Sequence, residues 1–258
     1  MSDGDLRPDE GRKRVCLLTG ASGTLGTDFC QRYADAYSIA AVYRRHVPLV
    51  ASQEAEFVAP LEPGLDLTAN HEPVFTVQGD ISVEADCERI VESTLARFGR
   101  IDLLVHAATY SVWGPMLGSD TLRSTALGQL ITNVVAPLNL SLIVAKRYWT
   151  SRQIENRMMN RNIVNVSSVA GLRLYTGSGQ SVYAASKAAL NHLTGHMAAE
   201  FDAIGVRVNA TAANSFPSLV PTERATDAIV RLDESKETGV VVVVDGDEDR
   251  VIKLDPMA

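Results

Sequence analysis

Short apolar segments alternate with helix-forming segments along this sequence, and that alternation limits the folds open to the chain. The apolar segments lie at residues 15–18, 39–43, 74–78, 101–105, 162–166, 206–210 and 239–244. Helices are expected from the first glycine turn to about Tyr37, over 82–98 and 121–152, from the region of Tyr183 to about Ala203, and over 223–232. Strands separated by helices pair in parallel, with helices covering both faces of the sheet. The sequence therefore predicts an α/β fold with a single doubly wound, Rossmann-type parallel sheet of about seven strands.

Composition and charge are those of an ordinary globular protein. The chain has 258 residues, 46% hydrophobic and 21% charged, which suits a single domain over residues 14–258. Residues 1–13 are charged, carry no apolar segment and are predicted to form a disordered tail. The net charge of −7 argues against a nucleic-acid partner, and no apolar run reaches the roughly 18 residues of a membrane span. Three widely spaced cysteines form no metal or redox motif, which indicates a reduced, cytoplasmic protein.

A glycine turn follows the first apolar segment and leads into a helix. Glycines let a backbone approach a pyrophosphate closely, and a helix N-terminus presents free N–H groups to it. The turn is therefore predicted to bind a dinucleotide, although an ordinary strand-to-helix turn is the alternative. The expected cofactor-binding residues of this segment are Gly20, Ser22, Gly23, Thr24, Leu25 and Gly26.

The second apolar segment ends in Arg44 and Arg45, and no carboxylate lies between Ile39 and Gln53. A dinucleotide fold reads the adenosine ribose near this position. Two guanidinium groups would attract a 2′-phosphate, whereas an acid would repel it. The sequence therefore favours NADP(H) as the cofactor, with solvated arginines at a strand end as the alternative.

Further residues at strand ends are expected to meet the cofactor. These are Asp80 with Ile81, and the small-residue segment His106, Ala107 and Ala108. Ser82 is predicted to cap the following helix. Residues 46–73 contain four prolines, Pro48, Pro60, Pro63 and Pro73, and are expected to form an irregular excursion.

Tyr183 and Lys187 are one helical turn apart, so a phenol and an ammonium share one helix face. A nearby positive charge favours the phenolate and can make the tyrosine a usable general acid. On this pair alone, a surface lysine stacked over a half-buried tyrosine is an equal alternative. Ser168 follows the fifth strand, and Asn133 lies in an otherwise apolar helix as either a structural hydrogen-bonding group or a polar group near the site.

The order of the glycine turn, Asn133, Ser168, Tyr183 and Lys187 resembles the short-chain dehydrogenase/reductase family, over nearly the whole chain from Arg14 to Gly246. The resemblance extends to ketoreductases of the 3-oxoacyl-carrier-protein reductase type. It implies that these four side chains are catalytic, that Tyr183 protonates a small-molecule carbonyl substrate, that Lys187 also binds the nicotinamide ribose, and that Asn133 holds a water. It also implies a homodimer or homotetramer built on the helices that follow Asp120 and Tyr183.

Three segments depart from the family pattern. Thr24 replaces a glycine, His106–Thr109 replaces Asn-Asn-Ala-Gly, and Ala213-Asn214 replaces Pro-Gly. In addition, the segment 214–223 is shorter than the usual substrate lid. A short lid is expected to admit a bulky or carrier-tethered substrate, or to reflect a loss of specificity.

Alternative functions follow from the same residues. A non-catalytic NADP-binding regulatory or scaffold protein is one alternative. A nucleotide-sugar epimerase or dehydratase is a poorer alternative, because no substrate domain follows Gly246.

The helix face formed by His192, His196 and Glu200 is expected to pack or form an interface rather than bind zinc, so no metal is predicted. A basic stretch is expected to be solvated, with docking of an acidic carrier protein as the minority interpretation; it consists of Arg147, Arg152, Arg157 and Arg161.

Overall fold

The structure is a computed structural model that describes residues 13–50, 73–117, 120–177 and 179–254. Two sequence predictions therefore fall almost entirely outside the described residues. These are the disordered tail over 1–13 and the irregular excursion over 46–73.

Eight strands form one sheet in the order β3-β2-β1-β4-β5-β6-β7-β8. The strands are β1 (Arg14–Thr19), β2 (Tyr37–Tyr43), β3 (Val74–Gln78), β4 (Leu103–His106), β5 (Asn162–Ser168), β6 (Arg207–Ala213), β7 (Val240–Val244) and β8 (Asp249–Lys253). The first seven are parallel, which confirms the doubly wound sheet and its seven predicted strands. The sequence analysis missed β8, an antiparallel and largely exposed edge strand whose charged residues give no apolar run.

Helices cover both faces of this sheet. They are α1 (Thr24–Tyr33), α2 (Glu84–Phe98), α3 (Asp120–Leu130), α4 (Ala136–Val144), α5 (Gln153–Met158), α6 (Ser181–Phe201) and α7 (Thr222–Glu234). On one face, α1 and α7 pack through residues such as Phe29 and Ile229. On the other, α2, α4 and α6 pack through Ile90, Leu140 and Phe201. Both faces of the parallel strands are therefore buried, which explains their continuous apolar sequences.

A single long helix, Asp120–Trp149, contains α3 and α4 and has wider π-helical turns at Ile131–Val135 and Ala145–Trp149. It is long and apolar enough to cross a membrane by length and composition, with a window of mean hydropathy 1.6. This differs from the sequence prediction, which found no sufficiently long apolar run. In the fold the helix lies against the sheet, and Leu140 and Trp149 are completely buried. A core helix of a globular protein meets the same criterion.

Three predicted helix boundaries need correction. The first helix ends at Tyr33, and Tyr37 begins β2. Ser82 does not cap α2, because its hydroxyl donates to Asp80 Oδ1 (2.6 Å) and the helix begins only at Glu84. The long helix ends at Trp149 rather than Arg152. Element ends depend on such local contacts, whereas the periodic interiors were predicted correctly.

Candidate active site

Three of the four predicted catalytic side chains line one cavity of about 380 Å³. Ser168 is the last residue of β5, while Tyr183 and Lys187 lie in the first two turns of α6. The cavity is therefore formed where the carboxyl ends of the strands meet the start of a helix, the usual ligand position in open α/β sheets. The loop 214–221, which connects β6 to α7, contributes Phe216 and Leu219 to its wall.

Lys187 lies in the interior, with 2% of its surface exposed. Its Nζ donates to the backbone oxygen of Val166 (2.8 Å) and lies 5.8 Å from the centre of the Tyr183 ring. Burial lowers the pKa of Lys187 from its usual 10.5 to about 8, because a low-dielectric interior disfavours the ammonium. The lysine therefore still carries its proton at neutral pH.

Tyr183 has a raised pKa, which differs from the sequence prediction. Burial disfavours the phenolate and raises the pKa, while a hydrogen bond with Ser168 opposes this effect. The expected lowering by Lys187 is not seen, because that ammonium is held by the carbonyl of Val166 rather than by the phenol. Tyr183 is thus a protonated phenol at neutral pH.

Gly171 holds this group together, a role that the sequence analysis missed. A Cβ at Gly171 would lie 2.6 Å from the carbonyl carbon of Lys187, so any larger residue would push α6 away from the turn after β5. The carbonyl of Lys187 also accepts a hydrogen bond from Ser167 Oγ (3.2 Å). A glycine three residues after Ser168 was the available signal for this close approach.

Asn133 is buried, and its side chain is fully hydrogen-bonded. Its Oδ1 accepts from the backbone N–H of Tyr110 (2.8 Å) and from Thr109 Oγ1 (3.2 Å). Its Nδ2 donates to the Tyr110 carbonyl and to Ser186 Oγ, both at 2.9 Å. An amide has two donors and two acceptor positions, so this side chain has no group left for the expected water. Asn133 therefore serves as the structural hydrogen-bonding group of the two alternatives.

Most predicted cofactor residues line a second cleft, also of about 380 Å³, next to the catalytic cavity. The parallel register places Thr19 beside both Val42 and His106, so the loops after β1, β2 and β4 meet at one edge. The predicted residues found in the cleft are Gly20, Ser22, Gly23, Arg44, Arg45, Asp80, Ile81, Ala107 and Ala108. His46 and Thr132 also line it and were not predicted.

The glycine turn has the shape that a pyrophosphate requires. Gly20 has φ +72°, and a Cβ there would lie 2.6 Å from the amide nitrogen of Ala108. Gly26 is packed against the turn, because a Cβ would lie 2.6 Å from Ala21 Cα. The first turn of α1 contains no acidic side chain that would repel an anion. These residues therefore fit a dinucleotide.

Three members of the predicted glycine segment do not line the cleft, and Gly26 is the one already described as packed against the turn. Leu25 lines the catalytic cavity instead of this cleft, and Thr24 begins α1 with an exposed side chain. The arginines remain at the cleft, where the guanidinium of Arg44 lies 3.6 Å from Asp80. Asp80 therefore contacts Arg44 and Ser82 rather than facing the cleft alone.

His106 does not line the cleft, contrary to the sequence prediction. Its ring is 2% exposed and its Nε2 lies 2.9 Å from Ser141 Oγ on α4. Nδ1 has no hydrogen-bond partner within the described part of the chain. Burial lowers the pKa of His106 to about 3, so the ring is neutral. His106 is still part of β4 and its side chain lies on the face covered by α4, whereas Ala107 and Ala108 follow the end of the strand.

The sequence also singled out the histidine face of α6 and the basic stretch, and the structure gives the contacts of both. Nε2 of His192 lies 3.3 Å from Nε2 of His196, but the described ranges contain no group of three or more residues able to hold a metal. The basic stretch is paired with acids: Arg147 with Glu88 and Glu92, Arg152 with Glu155, Arg157 with Asp202, and the fully buried Arg161 with Asp102 and Glu155. These arginines therefore form no unpaired basic patch.

The sequence matches that of a known protein family over most of its length. Residues 14–228 match the sequence model described as short chain dehydrogenase. The chain belongs to the short-chain dehydrogenase family. Among its relatives in this family, the farnesol dehydrogenase of Aedes aegypti is 25% identical over 217 residues, covering 84% of this chain and 81% of that protein. The acetoacetyl-CoA reductase of Allochromatium vinosum, a ketoreductase, is 30% identical over 200 residues, covering 76% and 72%.

Solved short-chain dehydrogenases share the fold. One from Leptospira borgpetersenii with bound NAD⁺ superposes with a TM-score of 0.73 at 19% identity, covering 91% of this chain and 92% of that one. The Pseudomonas aeruginosa RhlG/NADP complex gives 0.73 at 21% identity, covering 91% and 95%. As a short-chain dehydrogenase, the chain is an oxidoreductase that interconverts CH–OH and C=O groups with a nicotinamide dinucleotide.

Proposed function

We propose that this protein uses NADPH to reduce the carbonyl of a ketone to an alcohol. The observation that supports this most directly is the position of Ser168 and Tyr183, whose side chains line one cavity beside the cofactor cleft. Two hydroxyls in one cavity can together receive a carbonyl oxygen. A regulatory or scaffold protein would not need that arrangement.

Each side chain has a chemical role. Ser168 donates a hydrogen bond to the carbonyl oxygen and polarises it. Tyr183, which burial keeps protonated, transfers its Oη proton to that oxygen as negative charge develops there. Lys187, whose ammonium is held by a backbone carbonyl of β5 and lies 5.8 Å from the centre of the Tyr183 ring, would bind the nicotinamide ribose. The cofactor would be held by Gly20, Gly23 and the N-terminus of α1, and it supplies the hydride.

NADPH is favoured by charge at the end of β2. Arg44 and Arg45 line the cleft that contains the glycine turn. A 2′-phosphate carries about two negative charges and forms charge-assisted hydrogen bonds with guanidinium groups. Solved relatives bind NAD⁺ or NADP, so the choice depends on this chain's own residues at the strand end.

A bulky substrate is favoured by the openness of the catalytic cavity. Residues 214–221 make a short connection between β6 and α7, and Leu219 of this loop is 67% exposed. Such a loop covers little of the entrance. A carrier-tethered thioester, as in a biosynthetic ketoreductase, is compatible with this entrance, but the paired arginines around Arg147 offer no docking patch for an acidic carrier.

The test is a direct titration with NADPH and NADH, followed by NADPH oxidation with ketones, quinones and acyl-thioesters. We expect tighter binding of NADPH and turnover of at least one class of ketone, which Tyr183→Phe abolishes. A protein that binds NADPH but reduces no member of the panel would support the regulatory alternative. Reduction that persists in Tyr183→Phe would contradict the assigned acid.

A further inference from the structure

A larger cavity of about 570 Å³ adjoins the catalytic cavity. The two share Trp113, Tyr175 and Gln180 in their linings, so they lie side by side. The larger one, here called the outer cavity, lies between the loop after β4, the loop after β5 and the start of α6. Its volume is in the range of pockets that bind small molecules. A substrate whose carbonyl reaches Ser168 and Tyr183 can therefore extend into it.

Two glycines fix the two loops that form this cavity. The N–H of Gly114 donates to the carbonyl of Gly179 (2.8 Å). Gly179 has φ +67°, and a Cβ there would lie 2.9 Å from the carbonyl carbon of Gly114. The contact thus depends on glycine at position 179 and joins the loops across the outer cavity. Trp113 and Tyr175 are thereby held at the passage between the two cavities.

The walls of the outer cavity are apolar and solvent-exposed. Trp113 is 56%, Met116 73% and Leu174 94% exposed, an unusual density of large apolar side chains around one opening. These side chains gain free energy when an apolar ligand removes their surface from water. The location next to the catalytic group makes the substrate itself the fitting occupant.

The described lining residues of the outer cavity include no charged side chain that is free of an ion pair. Arg173 is the charged residue among them, and its guanidinium is paired with Asp245 (2.7 Å). Asp245 also accepts a hydrogen bond from Asn214 (2.9 Å), so the pair is anchored to the end of β6. The outer cavity therefore offers an apolar surface without a free cation for a phosphate or a carboxylate.

We propose that the outer cavity binds the uncharged apolar tail of the substrate, and that the protein acts on ketones or aldehydes bearing a long alkyl or prenyl chain. The tail passes between Trp113 and Tyr175 while the carbonyl lies at Ser168 and Tyr183. This proposal rests on the carbonyl reductase activity proposed above. It selects, within that activity, neutral long-chain carbonyls over phosphate-bearing thioesters.

The first experiment measures kcat/KM for methyl ketones from butan-2-one to dodecan-2-one, with acetoacetyl-CoA for comparison. Burial of one methylene group corresponds to as much as about a fourfold gain per carbon, so the ratio of the long to the short ketone should exceed about 100. Leu174→Asp should lower that ratio at least about tenfold, because it places a charge beside the tail. Ile154→Asp is the matched control, since Ile154 is also exposed (73%) but lies on α5.

The outcomes separate the two proposals. Equal kcat/KM across the ketone series, or a preference for acetoacetyl-CoA over the long ketones, overturns the apolar tail site and leaves carbonyl reduction standing. A ratio unchanged by Leu174→Asp also overturns it.

A binding measurement covers the case in which no ketone is reduced. The chain has two tryptophans, and Trp149 is completely buried. Dodecan-2-ol should therefore change the emission of Trp113, and the change should disappear in Trp113→Phe. Binding without turnover supports the tail site while contradicting the proposed activity. No change in emission with dodecan-2-ol overturns the tail site.

Discussion

Lys187 donates a hydrogen bond from Nζ to the backbone oxygen of Val166 across 2.8 Å, in the interior of the protein. This bond joins α6 to β5 and sets the position of the ammonium below the Tyr183 ring. A buried ammonium has few partners to replace water, which is the reason for its lowered pKa. The site therefore keeps a charged lysine at neutral pH, and burial of this charge lowers the free energy of unfolding.

The first prediction concerns this lysine and pH. Between pH 8 and 10.5 the unfolded chain holds a proton on Lys187 that the folded protein has lost, so Lys187 by itself contributes a free energy of unfolding that rises with pH. Its full contribution is about 3 kcal/mol. Burial raises the pKa of the thiols of Cys16, Cys30 and Cys87, which contributes a change of opposite sign over the same range. In urea unfolding experiments without cofactor, the difference in free energy of unfolding between the natural protein and Lys187→Met should therefore increase with pH, whereas the difference for Lys146→Met, at an exposed position, should stay constant. A difference for Lys187→Met that does not change with pH contradicts the prediction.

Removal of the Tyr183 hydroxyl should abolish reduction. Tyr183→Phe takes away only the proton donor, so kcat should fall by at least about 100-fold while the Kd for NADPH changes little. Stopped-flow or steady-state assays with direct NADPH titration measure both. Tyr33→Phe is the control, because its hydroxyl binds Asp227 outside the site. Turnover of Tyr183→Phe within tenfold of the natural protein would disprove the role.

The arginine pair should decide the cofactor. Arg44→Ala and Arg45→Ala should each weaken NADPH binding by about tenfold or more, since a charge-assisted hydrogen bond contributes about 1.5–3 kcal/mol, and leave NADH binding little changed. Added salt should reduce the preference because the charges are exposed. Arg147→Ala, in the π-helical turn Ala145–Trp149 where the arginine pairs with two glutamates, should have no effect. If the natural protein binds both dinucleotides equally in a titration, the prediction is wrong.

Stability should depend on a buried ion pair remote from the site. Arg161 and Asp102 are both completely buried and lie 3.4 Å apart. Asp102 immediately precedes β4 and Arg161 immediately precedes β5, so the pair lies at the amino edge of the sheet. Arg161→Met should lower the free energy of unfolding by about 2 kcal/mol, because it leaves the buried Asn156 Oδ1 without the guanidinium. It also removes one of the two arginines paired with Asp102, while Arg100 (2.9 Å) remains. Arg147→Met breaks an exposed pair and should cost no more than about 1 kcal/mol. Equal losses for the two variants in denaturant unfolding would contradict this.

We propose that the protein forms a homodimer or homotetramer through the helix Asp120–Trp149. Leu127, Val135 and Leu142 on this helix are 69%, 44% and 48% exposed, although the helix is strongly apolar. A second copy would remove this surface from water. Leu142→Lys should shift the mass measured by light scattering toward the monomer, whereas Ile154→Lys should not. A natural protein that is monomeric at micromolar concentration would refute the proposal.

The sequence alone was sufficient for the order of the seven parallel strands, the glycine turn and the spacing of Tyr183 and Lys187. These are local properties, because apolar periodicity and residue spacing are written in contiguous segments. The parallel connection rules then bring Ser168 to the same edge as the glycine turn. Thus the family, and most of the predicted residues that line the two cavities, could be identified without a structure.

Only the tertiary structure decided what each polar group contacts. The burial of His106 against Ser141, the saturation of Asn133 and the pairing of Arg161 with Asp102 all depend on residues that are distant in sequence. The pKa of Tyr183 likewise depends on how much water its surroundings exclude. Hydrogen bonding and desolvation act over a few ångströms between elements, so their outcome is fixed when the helices and strands pack together.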